Sequence, residues 1–242
     1  MAPVFLHKYK SQRYYLLGTS TIEDIKLMKA LLYLLLLLLP ALASAKSTIN
    51  CHCFQDRTFN HRDTAAADPY FLATTQNSFI SLIYAVDKRA LVKAKMSGTS
   101  GTHLWILFDV AARSQQNVNQ VEELYAHSKY WTEVFKELKL TPQQLGEKYW
   151  QLGNNPEHLA DHIVDLQLSK QFGVTADDIK NWRDRGMNRK EIILSIVLEG
   201  EPVTISNQVN SGIQTWGKLL YDQGLLDGKA INRRLKKLMT QT

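Results

Sequence analysis

Residues 68–86 read DPYFLATTQNSFISLIYAV. Asp68 has the short acceptor side chain of an N-cap, and Pro69 suits the first helical position, where its missing N–H costs nothing. Phe71, Leu72, Thr75, Phe79, Leu82, Ile83 and Val86 then recur at spacings of three and four. That period belongs to an α-helix with one buried face.

The same period continues downstream. Residues 97–101 (SGTSG) predict a flexible break. Thr102 opens a helix carrying Leu104, Trp105, Leu107 and Phe108. Helical pattern follows over 118–140 (interrupted at His127-Ser128), from Thr141-Pro142 to about Gly153, and over 156–172, 175–185 and 188–198. A final pair of helices is expected over 204–239. Strand-like alternation is confined to Val203-Thr204-Ile205, which is too short to weigh against the rest. The expected fold class is all-α, a compact bundle or short solenoid of stacked helical hairpins.

A weak internal repeat supports hairpins. At an offset of 58, Val121 aligns with Ile179, Leu124 with Trp182, Ser128 with Gly186, Val134 with Ile192, Phe135 with Ile193 and Leu138 with Ile196. A poorer third copy runs through Gly212, Trp216 and Leu219.

Upstream of Asp68 the character changes. Residues 28–45 read MKALLYLLLLLLPALASA, a basic start, a ten-residue apolar run, a helix-breaking proline and small residues at Ala43 and Ala45. These are the parts of a Sec-type signal peptide, cleaved after Ala45. The rival is an uncleaved membrane anchor, but a spanning helix needs about 20 apolar residues. Residues 1–27 then read as an upstream extension, or as a long n-region. Residues 46–67 are polar and aperiodic, and residues 68–242 form the helical domain.

The whole chain has 242 residues, formal net charge +6, 45% hydrophobic and 21% charged residues, which excludes a disordered or collagen-like chain. The segment 1–45 holds five Lys/Arg and two Asp/Glu, so its removal lowers the charge to +3. Much of the remaining excess lies in Lys229, Arg233, Arg234, Lys236 and Lys237.

Cys51 and Cys53 are the two cysteines, spaced C-x-C around His52, with no lipobox before them. In an oxidising compartment a disulfide within the chain is the first expectation. A bond between chains, or a soft-metal site with His52 or His61, remains open.

Four groupings bear on chemistry. Residues 168–183 resemble a helix-turn-helix unit, with Gly173 at the turn, Thr175 as cap, and Ile179 and Trp182 inward. The base-reading positions would be Ala176, Asp177 and Asp178, and two carboxylates there repel phosphate. No nucleic-acid role is expected, and the unit is read as a packed corner. DNA binding would require that residues 28–45 are not an export signal.

His158 and His162 lie at i and i+4 on one helix face. With Asp161 they resemble the H-x-x-E-H arrangement of inverted zinc peptidases, with Asp in place of Glu, and Asp165 is a third possible ligand. They are weak metal candidates, because no second half of a site is apparent. No nucleophile elbow or phosphate loop is present. The tryptophans Trp105, Trp131, Trp150, Trp182 and Trp216 sit at core spacing, with Tyr125, Tyr130 and Tyr149 beside them.

No catalytic residue and no cofactor are expected. The functional expectation is a non-catalytic interaction or scaffold module of a bacterial envelope, periplasmic or secreted. It would bind a protein partner or itself, and touch a membrane only through an uncleaved leader. The alternative is a metal- or thiol-dependent envelope protein using Cys51/Cys53 or His158/His162.

Overall fold

Helix α1 (Asp68–Tyr84) lies where the Asp-Pro pair predicts it, but its surroundings are not those of an amphipathic surface helix. Every residue from Ala73 to Ile80 is buried, including Thr74, Thr75, Gln76, Asn77 and Ser78. The computed structural model describes residues 54–241. The leader at 1–45 and the Cys51/Cys53 pair lie outside these residues.

Among the described residues there are thirteen α-helices, one 3-10 turn and no strand. After α1 come α2 (Lys88–Met96), α3 (Gly101–Ser114), α4 (Val118–Ser128), α5 (Trp131–Glu137), α6 (Pro142–Leu145), α7 (Glu147–Gln151) and the 3-10 turn Leu152–Asn154. Then follow α8 (Pro156–Phe172), α9 (Ala176–Asp184), α10 (Arg189–Val197), α11 (Pro202–Asn210), α12 (Trp216–Asp222) and α13 (Gly228–Met239). Residues 54–67 carry no helix. None of the described helices is long and apolar enough to cross a membrane.

Starts are set by side-chain caps: Ser100 accepts from His103 N–H, Thr175 from Asp178 N–H, and Asn117 and Asn188 form capping boxes with Gln120 and Glu191. Three differences from the sequence expectation have local causes. Gly146, at φ +92°, divides the segment after Thr141 into α6 and α7. Left-handed Gly212 and Gly224 split the C-terminal region into three helices rather than two. The break around 97–101 is shorter than expected, because α2 fills the chain up to Met96 and Gly101 already begins α3.

Helix α1 is the hub. Helices α10 and α13 pack most extensively on it, and α2, α3 and α12 also touch it. The other long helix, α8, lies along α3. Helices far apart in sequence therefore share one core, as in a helical bundle, whereas solenoid units touch only their neighbours. Within that core the tryptophans Trp105, Trp131, Trp182 and Trp216 are buried, and Trp150 packs partly buried against them.

The two 58-residue-offset segments are both helix–corner–helix units. Val121 and Ile179, Val134 and Ile192, and Phe135 and Ile193 are buried at matched positions. Their packing differs: α4 lies on α5, whereas α9 packs on α8 and α10 on α1.

Asp68 does not cap its own helix; Ala67 occupies the N-cap position. Its carboxylate accepts from Trp216 N–H at 3.1 Å and Gly217 N–H at 2.6 Å, so it caps α12 instead. Thr215 Oγ1 donates to Thr64 O at 2.8 Å beside it. A Cβ on Gly217 would stand 2.9 Å from Thr64 O, so the junction needs glycine.

A second cross-link is buried. Asp109, 2% exposed in the apolar run of α3, accepts from Tyr84 Oη at 3.0 Å, Tyr149 Oη at 2.9 Å and Arg113 Nε at 2.6 Å. Burial, and then the Asp109 charge, hold both tyrosine hydroxyls above the ordinary phenol range. Arg113 also lies 4.8 Å over the Tyr149 ring. The network joins α1, α3 and α7 and leaves its carboxylate saturated.

Asp68→Ala should cost about 1–2 kcal/mol, as lost helix caps do. Asp109→Ala should cost about 3–5 kcal/mol, because Arg113 and two phenols lose their acceptor together. Urea unfolding followed by circular dichroism at 222 nm measures both. The reverse order of severity would show that the terminal junction, not the Asp109 network, dominates the fold.

Candidate functional site

A cleft of about 1330 Å³ opens beside the hub helix. Its floor is α1, through Tyr70, Thr74, Asn77 and Ser81, and its walls are α2 and the first turns of α13. Phe54 and Arg57 close one side from the irregular segment.

Six cations line it: Arg57, Lys88, Arg89, Lys93, Lys229 and Arg233. Among the described residues none of the six makes an ion pair. The two carboxylates in the lining are committed to backbone. Asp87 accepts from Arg89 N–H at 2.8 Å, and Asp227 from Lys229 N–H at 2.8 Å and Ala230 N–H at 2.7 Å.

Arg89 and Lys93 are i and i+4 on α2, and Lys229 and Arg233 are i and i+4 on α13. Like charges at that spacing destabilise a helix by about 0.2–0.5 kcal/mol per pair. Two such pairs facing one cleft set up a positive field that the two lining carboxylates, Asp87 and Asp227, offset only in part.

Between the walls, Lys88 Nζ donates to Ser78 Oγ on the floor at 2.7 Å. Burial lowers its pKa to about 8, with Asp227 opposing the shift. Lys95, two turns beyond Lys88 and one beyond Val92 on α2, reaches deeper. It is 6% exposed and donates to Asn77 Oδ1 at 2.5 Å. Burial, and then the charges of Lys190 and Arg189, lower it to about 7.

The histidine candidates lie elsewhere. His158 is exposed on α8, and His162 is half-buried with its ring 6.3 Å from that of Tyr149. Burial, with Lys148 and Arg113 next, keeps His162 below the ordinary imidazole value. The carboxylates that would complete a metal set are held by arginines. Asp161 is 2.8 Å from Arg189 and 3.3 Å from Arg183, and Asp165 is 2.7 Å from Arg183. Among the described residues no three metal-ligating side chains come together.

The helix-turn-helix-like unit has the expected turn: Gly173 is left-handed at φ +65°, and Ile179 and Trp182 are buried. Asp177 and Asp178 stand exposed at the start of α9, where a phosphate backbone would have to approach. Of the aromatic pairs, Tyr130 is exposed beside buried Trp131, and Tyr149 is buried beside partly buried Trp150.

Sequence reasoning identified the basic C-terminal stretch but not the cleft. The signal was present as the two i,i+4 like-charge pairs. Their convergence needed the packing of α2 and α13 on either side of α1.

Between about pH 7 and the ordinary lysine value near 10.4, an unfolded chain binds a proton at Lys95 that the folded chain does not. Stability contributed by this site therefore rises with pH across that window. In dilute buffer Lys95→Met should be more stable than the parent at about pH 6, and its advantage should shrink by about pH 9.5. Thermal melts of both proteins across the range measure it, and an advantage independent of pH would contradict it.

No protein-family model, no curated protein and no solved structure matches the chain.

Proposed function

We propose that the chain is an exported, non-catalytic protein-interaction module whose cleft between α1, α2 and α13 takes an extended acidic peptide segment of a partner. The observation that carries this is the set of six unpaired cations around one concavity, against two carboxylates already used as helix caps. A fold does not accumulate like charges at i,i+4 on two facing helices for its own stability.

Size favours a peptide over a compact metabolite. Small-molecule pockets run to about 300–1,000 Å³, and this cleft is about 1330 Å³. Its apolar surface, from Phe54, Tyr70, Val86, Val92 and Met96, suits interleaved apolar side chains. Met96 is 57% exposed, the kind of adaptable side chain used where a surface re-packs around a partner.

Export is the second half of the proposal and rests on residues 28–45, with cleavage after Ala45. In that setting the Cys51/Cys53 pair would be oxidised.

The test is fluorescence anisotropy with a labelled peptide alternating Glu with Leu and Phe. Parent protein should bind it, with affinity falling as salt rises. The double reversals Arg89→Glu/Lys93→Glu and Lys229→Glu/Arg233→Glu should each weaken binding about tenfold or more, which is 1.4 kcal/mol. All four side chains are exposed, so the fold should persist. No binding by the parent, or binding unaffected by either reversal, would remove the proposal.

A further inference from the structure

Thr74 lies on the cleft floor and is 6% exposed, yet its Oγ1 has no hydrogen-bond partner among the described residues. A helical threonine can return its hydroxyl to a carbonyl of the preceding turn, as Thr75 does to Phe71 O at 2.7 Å. Thr74 does not. Its oxygen opens on the cleft and is not sealed in the core.

Two more polar atoms stand with it. A Cβ built on Gly228 would lie 3.1 Å from Thr74 Oγ1, 3.3 Å from Tyr70 Oη and 3.4 Å from Lys88 Nζ. All four residues line the cleft, so these atoms border open volume. The backbone of Gly228 is not left-handed, so conformation does not call for glycine there. Close approach does: a methyl group would crowd all three polar atoms.

None of the three is fully used. Tyr70 Oη has no hydrogen-bond partner among the described residues, while its ring packs on Phe54 and Phe71. Lys88 Nζ spends one proton on Ser78 Oγ at 2.7 Å, and an ammonium has three. Hydroxyls can donate or accept, so the ammonium and the other cations of the cleft set the sign of the ligand. Asp227 tempers that sign. Its charge acts on Lys88, although the two form no ion pair and Asp227 Oδ1 is held by the Lys229 and Ala230 N–H groups. A negative group so placed favours a singly charged ligand over a dianion such as a phosphate monoester.

We propose that Lys88 Nζ, Thr74 Oγ1 and Tyr70 Oη form an anchoring subsite that takes one carboxylate of the bound peptide, from an Asp or Glu side chain or from the chain end. The proposal rests on the reading of the cleft as a peptide groove and adds a fixed register to it. The rim cations attract acidic sequence in general, whereas this subsite selects one carboxylate and holds it against α1.

The test titrates the folded chain with sodium acetate against sodium chloride at equal ionic strength and near-neutral pH, with the lysine Cε signals followed by NMR. Acetate should shift the Lys88 signal saturably and leave that of Lys129, outside the cleft, in place. Thr74→Val and Tyr70→Phe should each weaken acetate binding about fivefold. Neither should lower the melting temperature, since neither hydroxyl has a protein partner to lose. With the labelled peptide, replacing a single glutamate by glutamine, or amidating the chain end, should cost about tenfold at one position only, and Thr74→Val should erase that loss. Phosphoserine at that position should bind no tighter than glutamate. An unmoved Lys88 signal, equal losses at every glutamate, or tighter binding of phosphoserine would overturn the subsite. Peptide binding that needs the rim cations but neither hydroxyl would overturn the subsite and keep the groove. An acetate response without peptide binding would keep the subsite and remove the groove.

Discussion

Everything in this fold answers to the burial of a polar helix. Residues 74–78 of α1 read Thr-Thr-Gln-Asn-Ser, and all five are enclosed. An apolar helix in that position would need only shape-matched neighbours. This one needs partners. Thr75 and Ser78 return their hydroxyls to the backbone of their own helix, at 2.7 Å to Phe71 O and 2.8 Å to Thr74 O. Ser78 and Asn77 also accept from α2, through Lys88 and Lys95. The arrangement of α2 against α1 is therefore specified by hydrogen-bonding demand as much as by packing.

That demand explains how a stable core and a charged cleft coexist. Lysines seldom approach a protein interior, because desolvation disfavours their charged form. Here the polar side chains of α1 draw two of them inward from one face of α2. The next positions around that helix, Arg89 and Lys93, are left at the rim. The electropositive wall is in part a by-product of how the hub helix is satisfied. Its counterpart on α13 has no such origin, which gives the α13 cations the greater weight as recognition elements.

The sequence shows the helices well and their environment poorly, for definable reasons. Period and caps are local, so Thr175, Asn188 and the left-handed Gly173 could be placed from a few neighbouring residues. A run such as TTQNS has the composition of a solvated face, and nothing local says that five other helices will cover it. Asp68 has the chemistry of an N-cap and performs it, but for a helix 148 positions away. Asp109 was the most readable of the missed residues, since a lone carboxylate inside LWILFDVAA must either break the helix's buried face or find buried partners. The surroundings of His158 and His162 were illegible for the same reason. Spacing puts both on one face, but the carboxylates around them were already claimed by Arg183 and Arg189 from α9 and α10.

The cap that Asp68 lends to α12 also fixes when the protein can exist. Synthesis delivers α1 early and three of its covering helices, α10, α12 and α13, last, so the hub's enclosure is incomplete until more than half of the domain has followed it. Contacts that span so much intervening chain form only after the entropy of closing that loop is met. The enclosure is completed only when α10, α12 and α13 pack onto α1. Loss of the last helices would not trim the fold but would leave a polar, unenclosed α1 with no native place to go.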